Sequence, residues 1–597
     1  MPAVEQVIAD QPDLADAEAP RTRRGLELWG LLSYLALAVL VLIQLWVKPN
    51  GRVLSSNDDD HGFFLVLLTH GERVFFHGQN PLFNDRFNVP DGVNMMAQTS
   101  VLALSLPLAP VTRFLGVGVT VAVLLTLGLA GTAAAWWWVL RQHLVRSPLA
   151  AWIGGLWCGF APTMVSHAGG HVNFVAHFVV PFIVWQVLRF REPGRAVRGG
   201  VILALLIVLQ VFINEESLLF TALTLFFFVV AYACFDFTEA KQLAGRFAAG
   251  LGVAAATSLA LLAYPLWWQF AGPQSYQGQP FEPGHFVTDL LSLGAYARQS
   301  LAGNSAIARE LTVSATEENT FWGVPMLVML VVCARMLWHS VAARATLVAG
   351  FALLLMSMGP ELRVAGADTG IPLPFALIAH VPIIDLVSVT RFAMVPATII
   401  GVLLALACDR AGVLQGRRQV AFWIGMAVAI VPVLPKPLPT TDAPPLPPFM
   451  AERMWEQYVP EDRTLVTVPL PEVTSGRTGM RWFALAGQGY RTPRGYFMGP
   501  ANPPANKTGS WSAAPRPTAD LLRNAEAYGQ MPALSAADRR AAIADLTYWR
   551  AAIVVLTPDA RNNALLKTIV TGLLGRAPQQ VGGVAMWDVR DIVHPAG

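Results

Sequence analysis

The chain has 597 residues, of which 54% are hydrophobic and only 14% are charged. A formal net charge of +3, scattered along the chain, is too small for a nucleic-acid-binding surface, so no nucleic acid partner is expected. Apolar runs of about twenty residues recur from Leu26 to Leu434, as helices that cross a bilayer require. The composition therefore predicts an integral, multi-pass α-helical membrane protein.

The arginine residues indicate which way the chain threads the membrane. Residues 1–25 are polar with mixed charges and predict a disordered cytoplasmic tail. Arginines before the first span and in later short loops mark the cytoplasmic side. This threading predicts about eleven transmembrane helices in a plasma-membrane domain of residues 26–434, with the N-terminus inside and the C-terminal part outside. The predicted spans are 26–46, 117–140, 148–165, 173–190, 199–213, 217–235, 247–267, 320–338, 342–358, 391–408 and 417–434.

The segment 101–115 does not fit this threading as a full span. It is apolar but short, it contains Pro107 and Pro110, and Arg113 lies near its end. Counting it as a span would place the later arginine-rich loops outside. We interpret it as a re-entrant or interfacial segment, with a short true span as the alternative.

The first outer loop, residues 47–100, opens with an acidic motif, Asn57-Asp58-Asp59-Asp60-His61. Neighbouring carboxylates near a low-dielectric phase repel one another, which predicts a raised proton affinity suited to a general base. The adjacent His61 is a candidate for substrate binding. Residues 62–76 have the pattern of an amphipathic helix lying in the membrane interface.

The chain changes character after the last span. Residues 435–450 are rich in proline and predict a linker. In residues 451–597 the expected strands at 464–470, 552–556 and 583–589 alternate with helices at 519–528, 536–546 and 563–574. This order predicts a small extracytoplasmic α/β domain.

Several other polar residues fall on the same outer face in this threading. Arg391 stands at the outer mouth of a span, where a guanidinium could bind a lipid phosphate, and Arg363 is the second candidate. The alternative for Arg391 is a residue that extends its charge to the interface. Glu215 and Glu216 lie at an outer helix end, where they could bind acceptor hydroxyls, assist the aspartates or stabilise a helix N-terminus.

His167 and His171 have the spacing of a metal-binding pair on a helix. Gly169 and Gly170 between them would break that helix, which favours hydrogen bonding to a sugar or phosphate over metal binding. The acidic motif offers oxygen ligands for a divalent cation, with Asp58 and Asp59 as candidates. The sequence leaves the metal open and requires no cofactor.

The loops carry the recognisable motifs. After the acidic motif come GQNPLF (78–83), NVPDGVN (88–94) and TSVLALSLPLAP (99–110), and the C-terminal part contains MRWFALAGQGYRTPRGYF (480–497) and VGGVAMWDV (581–589). With these motifs the chain resembles the GT-C superfamily of polytopic membrane glycosyltransferases, in particular an actinobacterial-type, YfhO-like branch. The resemblance covers most of the chain.

The resemblance implies a polyprenyl-phosphate sugar donor, an active site facing away from the cytoplasm, and an aspartate of the first loop as general base. The match falls on Asp58, Asp59 and Asp60, with Asp58 or Asp59 favoured because the acid usually follows a small polar residue such as Asn57. The expected acceptor is an extracytoplasmic glycan, glycolipid or protein. The alternatives are a non-catalytic cell-envelope assembly protein and a transporter of lipid-linked glycans on a GT-C-like frame.

Overall fold

The computed structural model describes residues 21–594, with side chains from Glu27 onward. The predicted tail therefore lies outside the described residues as far as residue 20, and a helix begins at Arg21. Within the described part, 6 helices are long and apolar enough to cross a membrane. They are Val117–His143, Pro148–His167, Val172–Arg191, Glu215–Phe235, Phe237–Ala271 and Val389–Ala411, which makes the chain a multi-pass membrane protein.

The other predicted spans are also helical, but shorter. They correspond to the apolar helices Glu27–Val41, Ala196–Val211, Val324–Leu337 and Val341–Ser357 and to the helix Gly416–Ile430. Every predicted span thus contains a helix, because a long apolar run can satisfy its backbone groups in lipid only within a helix. By length and composition, 6 of these segments meet the requirement for crossing, against the predicted number of about eleven.

The helices of the apolar part are labelled in chain order. They are α1 (Arg21–Val41), α2 (Ile43–Val47), α3 (Asp58–His77), α4 (Leu102–Ser105), α5 (Ala109–Leu115), α6 (Val117–His143), α7 (Pro148–Phe160), α8 (Pro162–His167), α9 (Val172–Val175), α10 (Val180–Leu188), α11 (Ala196–Val211), α12 (Glu215–Phe235), α13 (Phe237–Ala271), α14 (Ser305–Leu311), α15 (Val324–Leu337), α16 (Val341–Ser357), α17 (Met394–Ala411) and α18 (Gly416–Ile430). Short strands lie between them: β1 (Arg52–Leu54), β2 (Phe83–Asn84), β3 (Val93–Asn94), β4 (Glu361–Val364) and β5 (Ala367–Pro372).

The segment 101–115 forms the two short helices α4 and α5. The longer of them, α5, has 7 residues. At about 1.5 Å per residue such a helix is far shorter than the ~30 Å hydrocarbon core. Its re-entrant or interfacial placement stays a prediction.

Helix α3 differs from the interfacial helix that its pattern predicts. Phe64 and Leu67 are only 5% and 0% exposed. The helix packs against α5 on one side and against the C-terminal part on another. Only its C-terminal end presents large apolar side chains, Phe75 and Phe76, to the outside. The apolar face of α3 is therefore buried in protein, because a partner surface that the local pattern does not reveal covers it.

The C-terminal part is built on a mixed sheet. Its elements are β6 (Thr440–Asp442), α19 (Pro448–Ala451), β7 (Thr464–Val468), α20 (Arg477–Leu485), β8 (Tyr496–Asn502), β9 (Asn506–Ser512), α21 (Pro517–Tyr528), α22 (Ala536–Tyr548), β10 (Ala551–Leu556), α23 (Asn563–Leu574), β11 (Gln579–Val581) and β12 (Val584–Asp588). The sheet order is β11-β12-β10-β7, with β10 parallel to β7 and antiparallel to β12. The predicted strands and helices of this region are confirmed.

The C-terminal part is joined to the first loop at several points. Strand β6, from the predicted linker, pairs antiparallel with β1 of the first loop, with Val53 opposite Thr441. Arg86 donates to the carbonyl oxygens of Gln488 and Gly489, both at 2.9 Å. The first loop thus lies between the helices and the sheet, which places the acidic motif at their junction.

Candidate functional site

The site is a group of buried and partly buried polar side chains beside the acidic motif. Its members come from five places in the chain: the first turns of α3 and α12, the end of α8 with the turn that follows it, the loop before α15 and the 3-10 turn before α17. We call this group the polar cluster; it consists of Asp60, His167, His171, Glu216, Glu317 and Arg391.

Asp60 is the aspartate of the motif that joins the cluster. Its Oδ2 lies 2.8 Å from His171 Nε2 and also accepts from the Asn57 amide, while its Oδ1 accepts from the Tyr496 hydroxyl at 2.8 Å. Burial alone raises the pKa of Asp60, but the hydrogen bonds from His171 and Tyr496, with the charges of His171 and Arg391, bring it below the usual value. Asp60 is therefore ionised at neutral pH.

Asp58 and Asp59 face a different partner. Arg477 of α20 binds Asp59 through two hydrogen bonds of 2.6 and 2.9 Å, and its Nη1 lies 3.6 Å from Asp58. Burial raises the pKa of Asp58 more than Arg477 lowers it. The predicted rise in proton affinity is thus found at Asp58 and reversed at Asp60, where hydrogen-bond donors outweigh burial.

The two histidines meet across a turn. The Nδ1 atoms of His167 and His171 are 2.9 Å apart, and the chain between them leaves the helix, as the glycine pair predicts. A Cβ on Gly169 or Gly170 would come within 2.8 Å of Ser56 or 3.0 Å of Asn57. The glycines therefore let this turn approach the first loop, and the two rings lie together although the helix between them is broken.

Arg391 occupies the centre of the cluster. It donates to Glu317 through Nε at 2.9 Å, and its Nη1 lies 2.9 Å from Glu216 Oε2. Its guanidinium lies 4.7 Å from the centroid of the Phe174 ring. The residue predicted to bind a donor phosphate is thus already paired with two carboxylates.

Glu317 is oriented by neighbours on every side. Its Oε2 accepts from Asn319 Nδ2 at 3.1 Å, and Thr163 donates to Asn319 Oδ1 at 2.6 Å. Burial raises the pKa of Glu317, but Arg391 and the two histidines outweigh it and lower the pKa to about 2. Glu317 is therefore a fixed anion.

The remaining predicted residues lie apart from the cluster. Glu215 accepts from Gln269 at 2.8 Å. Among the described residues, Arg363 makes its ion pair with Asp368, at 2.7 Å across the β4–β5 hairpin. His61 is buried in α3, where burial and the charge of Arg481 lower its pKa to about 4, so it is neutral.

The cluster contains a donor set that suits a metal ion. Ligand atoms of His167, His171 and Glu317 all lie within 4.8 Å of one another. Two imidazole nitrogens and one carboxylate oxygen are a common set for Zn²⁺ and similar cations. When the two imidazoles are neutral, as metal ligands must be, the three carboxylates of Asp60, Glu216 and Glu317 outnumber the one guanidinium of Arg391. This surplus of carboxylates favours a divalent cation here, whereas the candidates Asp58 and Asp59 are paired with Arg477.

Three supporting residues were not predicted from the sequence. Asn319 lies two positions from Glu317, so the local polar run could have indicated it. Tyr496 is 436 positions from Asp60 and Thr163 is 156 positions from Asn319, and neither has a local signal.

Asn57 gives a first test of how Asp60 is held. Its side chain accepts from the backbone N–H of Asp60 at 3.2 Å and caps α3. We expect Asn57→Ala to cost about 1 kcal/mol of stability and to lower the activity proposed below, because Asp60 loses a donor. Thermal unfolding in detergent measures the first effect. The matched control is Asn304→Ala, which removes the cap of α14 away from the cluster. Equal activity in both variants would contradict the expectation.

Comparison with known proteins gave three structural similarities of interest. No family model and no curated protein matches the sequence. The apo oligosaccharyltransferase of Archaeoglobus fulgidus matches with a TM-score of 0.49 and 11% identity, over 89% of this chain and 69% of that one. The archaeal oligosaccharyltransferase AglB from the same organism, in complex with an inhibitory peptide and a dolichol-phosphate, matches with a TM-score of 0.47 and 13% identity, over 90% of this chain and 70% of that one. The Archaeoglobus fulgidus oligosaccharyltransferase in complex with Zn and sulfate matches with a TM-score of 0.48 and 12% identity, over 88% of this chain and 67% of that one. At these values the matches assign no activity to this chain, so the case for a function rests on the side chains of the site.

Proposed function

We propose that this protein is a GT-C-type membrane glycosyltransferase that transfers a sugar from a polyprenyl-phosphate donor to an extracytoplasmic glycan, glycolipid or protein. The observation that carries the proposal is the polar cluster, in which three carboxylates, two imidazoles and an arginine meet at the ends of apolar helices. Arg391 and Glu216 lie in the first turns of the apolar segments Val389–Ala411 and Glu215–Phe235. A donor anchored by its lipid tail presents its phosphate at this depth.

Asp60 is the proposed general base. The acceptor hydroxyl oxygen attacks the anomeric carbon, the bond from that carbon to the phosphate oxygen breaks, and the phosphate leaves with the electron pair. The hydroxyl proton passes to Asp60, which the surrounding donors keep ionised. Asp59 is less suited to this role by its placement, because its carboxylate is bound by Arg477, whereas that of Asp60 lies 2.8 Å from His171 of the cluster.

The charge of the cluster bears on how the phosphate is bound. With both imidazoles neutral, ionised Glu216 and Glu317 outweigh the single positive charge of Arg391, and in that state the cluster alone would repel a phosphate. A divalent cation held by His167, His171 and Glu317 would offset this charge and stabilise negative charge on the leaving group. We therefore assign Arg391 to the donor phosphate only together with such a cation.

Donor turnover tests the proposal. The purified protein is incubated in lipid vesicles with polyprenyl-phosphate mannose, arabinose or glucose and a membrane extract as the acceptor source, and the release of polyprenyl phosphate is measured. We expect release with one of these donors, its loss in the presence of a chelator, and its recovery with added Zn²⁺ or Mn²⁺. Absence of release with all three donors would contradict the proposal.

Metal binding is tested separately from activity. We expect the wild type to bind about one Zn²⁺ by calorimetry and His171→Ala or Glu317→Gln to weaken binding at least about tenfold, because each removes one ligand. His285→Ala is the control, since His285 is exposed and lies outside the cluster. Undiminished binding in both cluster variants would show that the metal lies elsewhere.

A further inference from the structure

The carboxylate of Asp60 is held from two sides by different parts of the chain. His171, from the helical part, lies 2.8 Å from Oδ2, while Tyr496, from strand β8 of the C-terminal part, donates to Oδ1 at 2.8 Å. With His171 and the Asn57 amide on Oδ2 and Tyr496 on Oδ1, the plane of the carboxylate is defined. Removal of the Tyr496 hydroxyl would leave Oδ1 without its side-chain donor and let the group rotate about its side-chain bonds.

Tyr496 is itself well fixed. Its ring meets Phe63 of α3 edge-on, with the ring centroids 6.0 Å apart. Two residues further along β8, the backbone N–H of Met498 donates to Gln98 at 2.9 Å, and the Gln98 amide donates back to the Met498 carbonyl. The strand that carries Tyr496 is therefore attached to the first loop beside the hydroxyl contact.

A second contact from the C-terminal part acts on the neighbouring carboxylate. Arg477 of α20 binds Asp59 with two hydrogen bonds. The C-terminal part thus contacts the two neighbouring aspartates differently: Asp59 is paired with an arginine, and Asp60 accepts from Tyr496 and lies beside His171 of the cluster.

On this basis, and resting on the proposed function, we propose that Tyr496 is a positioning residue for Asp60, so that the C-terminal domain completes the catalytic site. The C-terminal domain then positions the general base, whether or not it also binds the acceptor. A hydroxyl acceptor must reach Asp60 at the junction between β8 and the helices.

The chain offers a matched control for this proposal. Tyr548 of α22 donates to the two carboxylate oxygens of Asp91 at 2.8 and 2.7 Å, which is the same kind of contact between the C-terminal domain and the first loop, away from the cluster. Tyr496→Phe and Tyr548→Phe each remove one hydroxyl and keep the ring. Their losses of stability should be similar, whereas their effects on Asp60 should differ.

We expect Tyr496→Phe to lower kcat about 10- to 100-fold with little change in KM for the donor, because the base is misaligned while donor contacts remain. Tyr548→Phe should keep kcat within about twofold. A kcat for Tyr496→Phe equal to that of Tyr548→Phe would overturn the proposal, since a general loss of domain contact would affect both variants alike.

Hydrogen–deuterium exchange separates this proposal from the proposed function. Exchange in the first turn of α3 should rise in Tyr496→Phe and stay at the wild-type level in Tyr548→Phe. If no donor is turned over but this difference is found, the proposed function fails and the positioning of Asp60 stands. Equal protection of the turn in all three proteins would overturn the positioning role whatever the activity.

Discussion

Replacement of Asp60 by asparagine is expected to lower kcat for sugar transfer by about 10²- to 10⁴-fold, the usual contribution of a general base. The substitution preserves the shape of the side chain, but an amide cannot take up the proton that the sugar acceptor's hydroxyl releases. The measurement is the release of polyprenyl phosphate by wild type and Asp60→Asn in the same vesicles. Thermal unfolding of both proteins checks that the loss is chemical and not a failure to fold.

Asp58→Asn and Asp59→Asn are the controls built into the same motif. Asp58 is half-exposed, and its nearest charged partner is Arg477, so its substitution should leave kcat within a few-fold of wild type. Asp59→Asn breaks a partly exposed ion pair with Arg477 and should lower stability by about 1 kcal/mol or less. Any effect on kcat should be indirect, through a shift of α20, which carries Arg477. Full activity of Asp60→Asn, together with inactivity of Asp58→Asn or Asp59→Asn, would transfer the role of base to one of its neighbours.

Arg391→Met should have the largest effect on stability. Arg391 is the charged partner of both Glu216 and Glu317, and Glu317 is 3% exposed. Removing one member of a buried charged group leaves uncompensated charge in a low-dielectric environment, which costs about 3–5 kcal/mol. We expect a lowered unfolding temperature in detergent and, in any folded fraction, weakened binding of the donor.

Two further variants make this prediction specific. Arg363→Met removes an arginine whose partner Asp368 is exposed, so it should cost no more than about 1 kcal/mol. Glu216→Gln combined with Arg391→Met should recover part of the lost stability, because one buried negative charge is removed with the arginine. If Arg391→Met is as stable as Arg363→Met, the cluster does not depend on this ion pair.

Much of the fold could be predicted from local pattern. All the predicted spans contain helices, and the strands at Thr464–Val468, Ala551–Leu556 and Val584–Asp588 lie where apolar β-branched runs predict them. The interfacial assignment of the helix after the acidic motif is wrong. An apolar helix face predicts that the face is buried, but the local sequence does not distinguish burial in lipid from burial against protein. In this structure, α20 and α5 cover it.

Most residues of the polar cluster could be predicted from the sequence, but the contacts between them could not. Asp60, His167, His171, Glu216 and Arg391 were all candidates, because polar residues at the ends of apolar helices are conspicuous in a sequence. The spacing of the two histidines predicts a metal pair only on a regular helix, which Gly169 and Gly170 break. A turn that the glycines allow to approach Ser56 and Asn57 instead brings the rings together.

The sequence by itself determined where the apolar helices lie, that a sheet-containing region follows them, and that an acidic motif opens the first loop. These features depend on composition and periodicity within a single segment, and backbone hydrogen bonding makes such segments nearly independent of the rest of the chain. Only the tertiary structure decided which of the three aspartates enters the cluster. That choice depends on Tyr496 and Arg477, which are 436 and 418 positions away from the aspartates they contact, and no local pattern specifies contacts between residues so far apart.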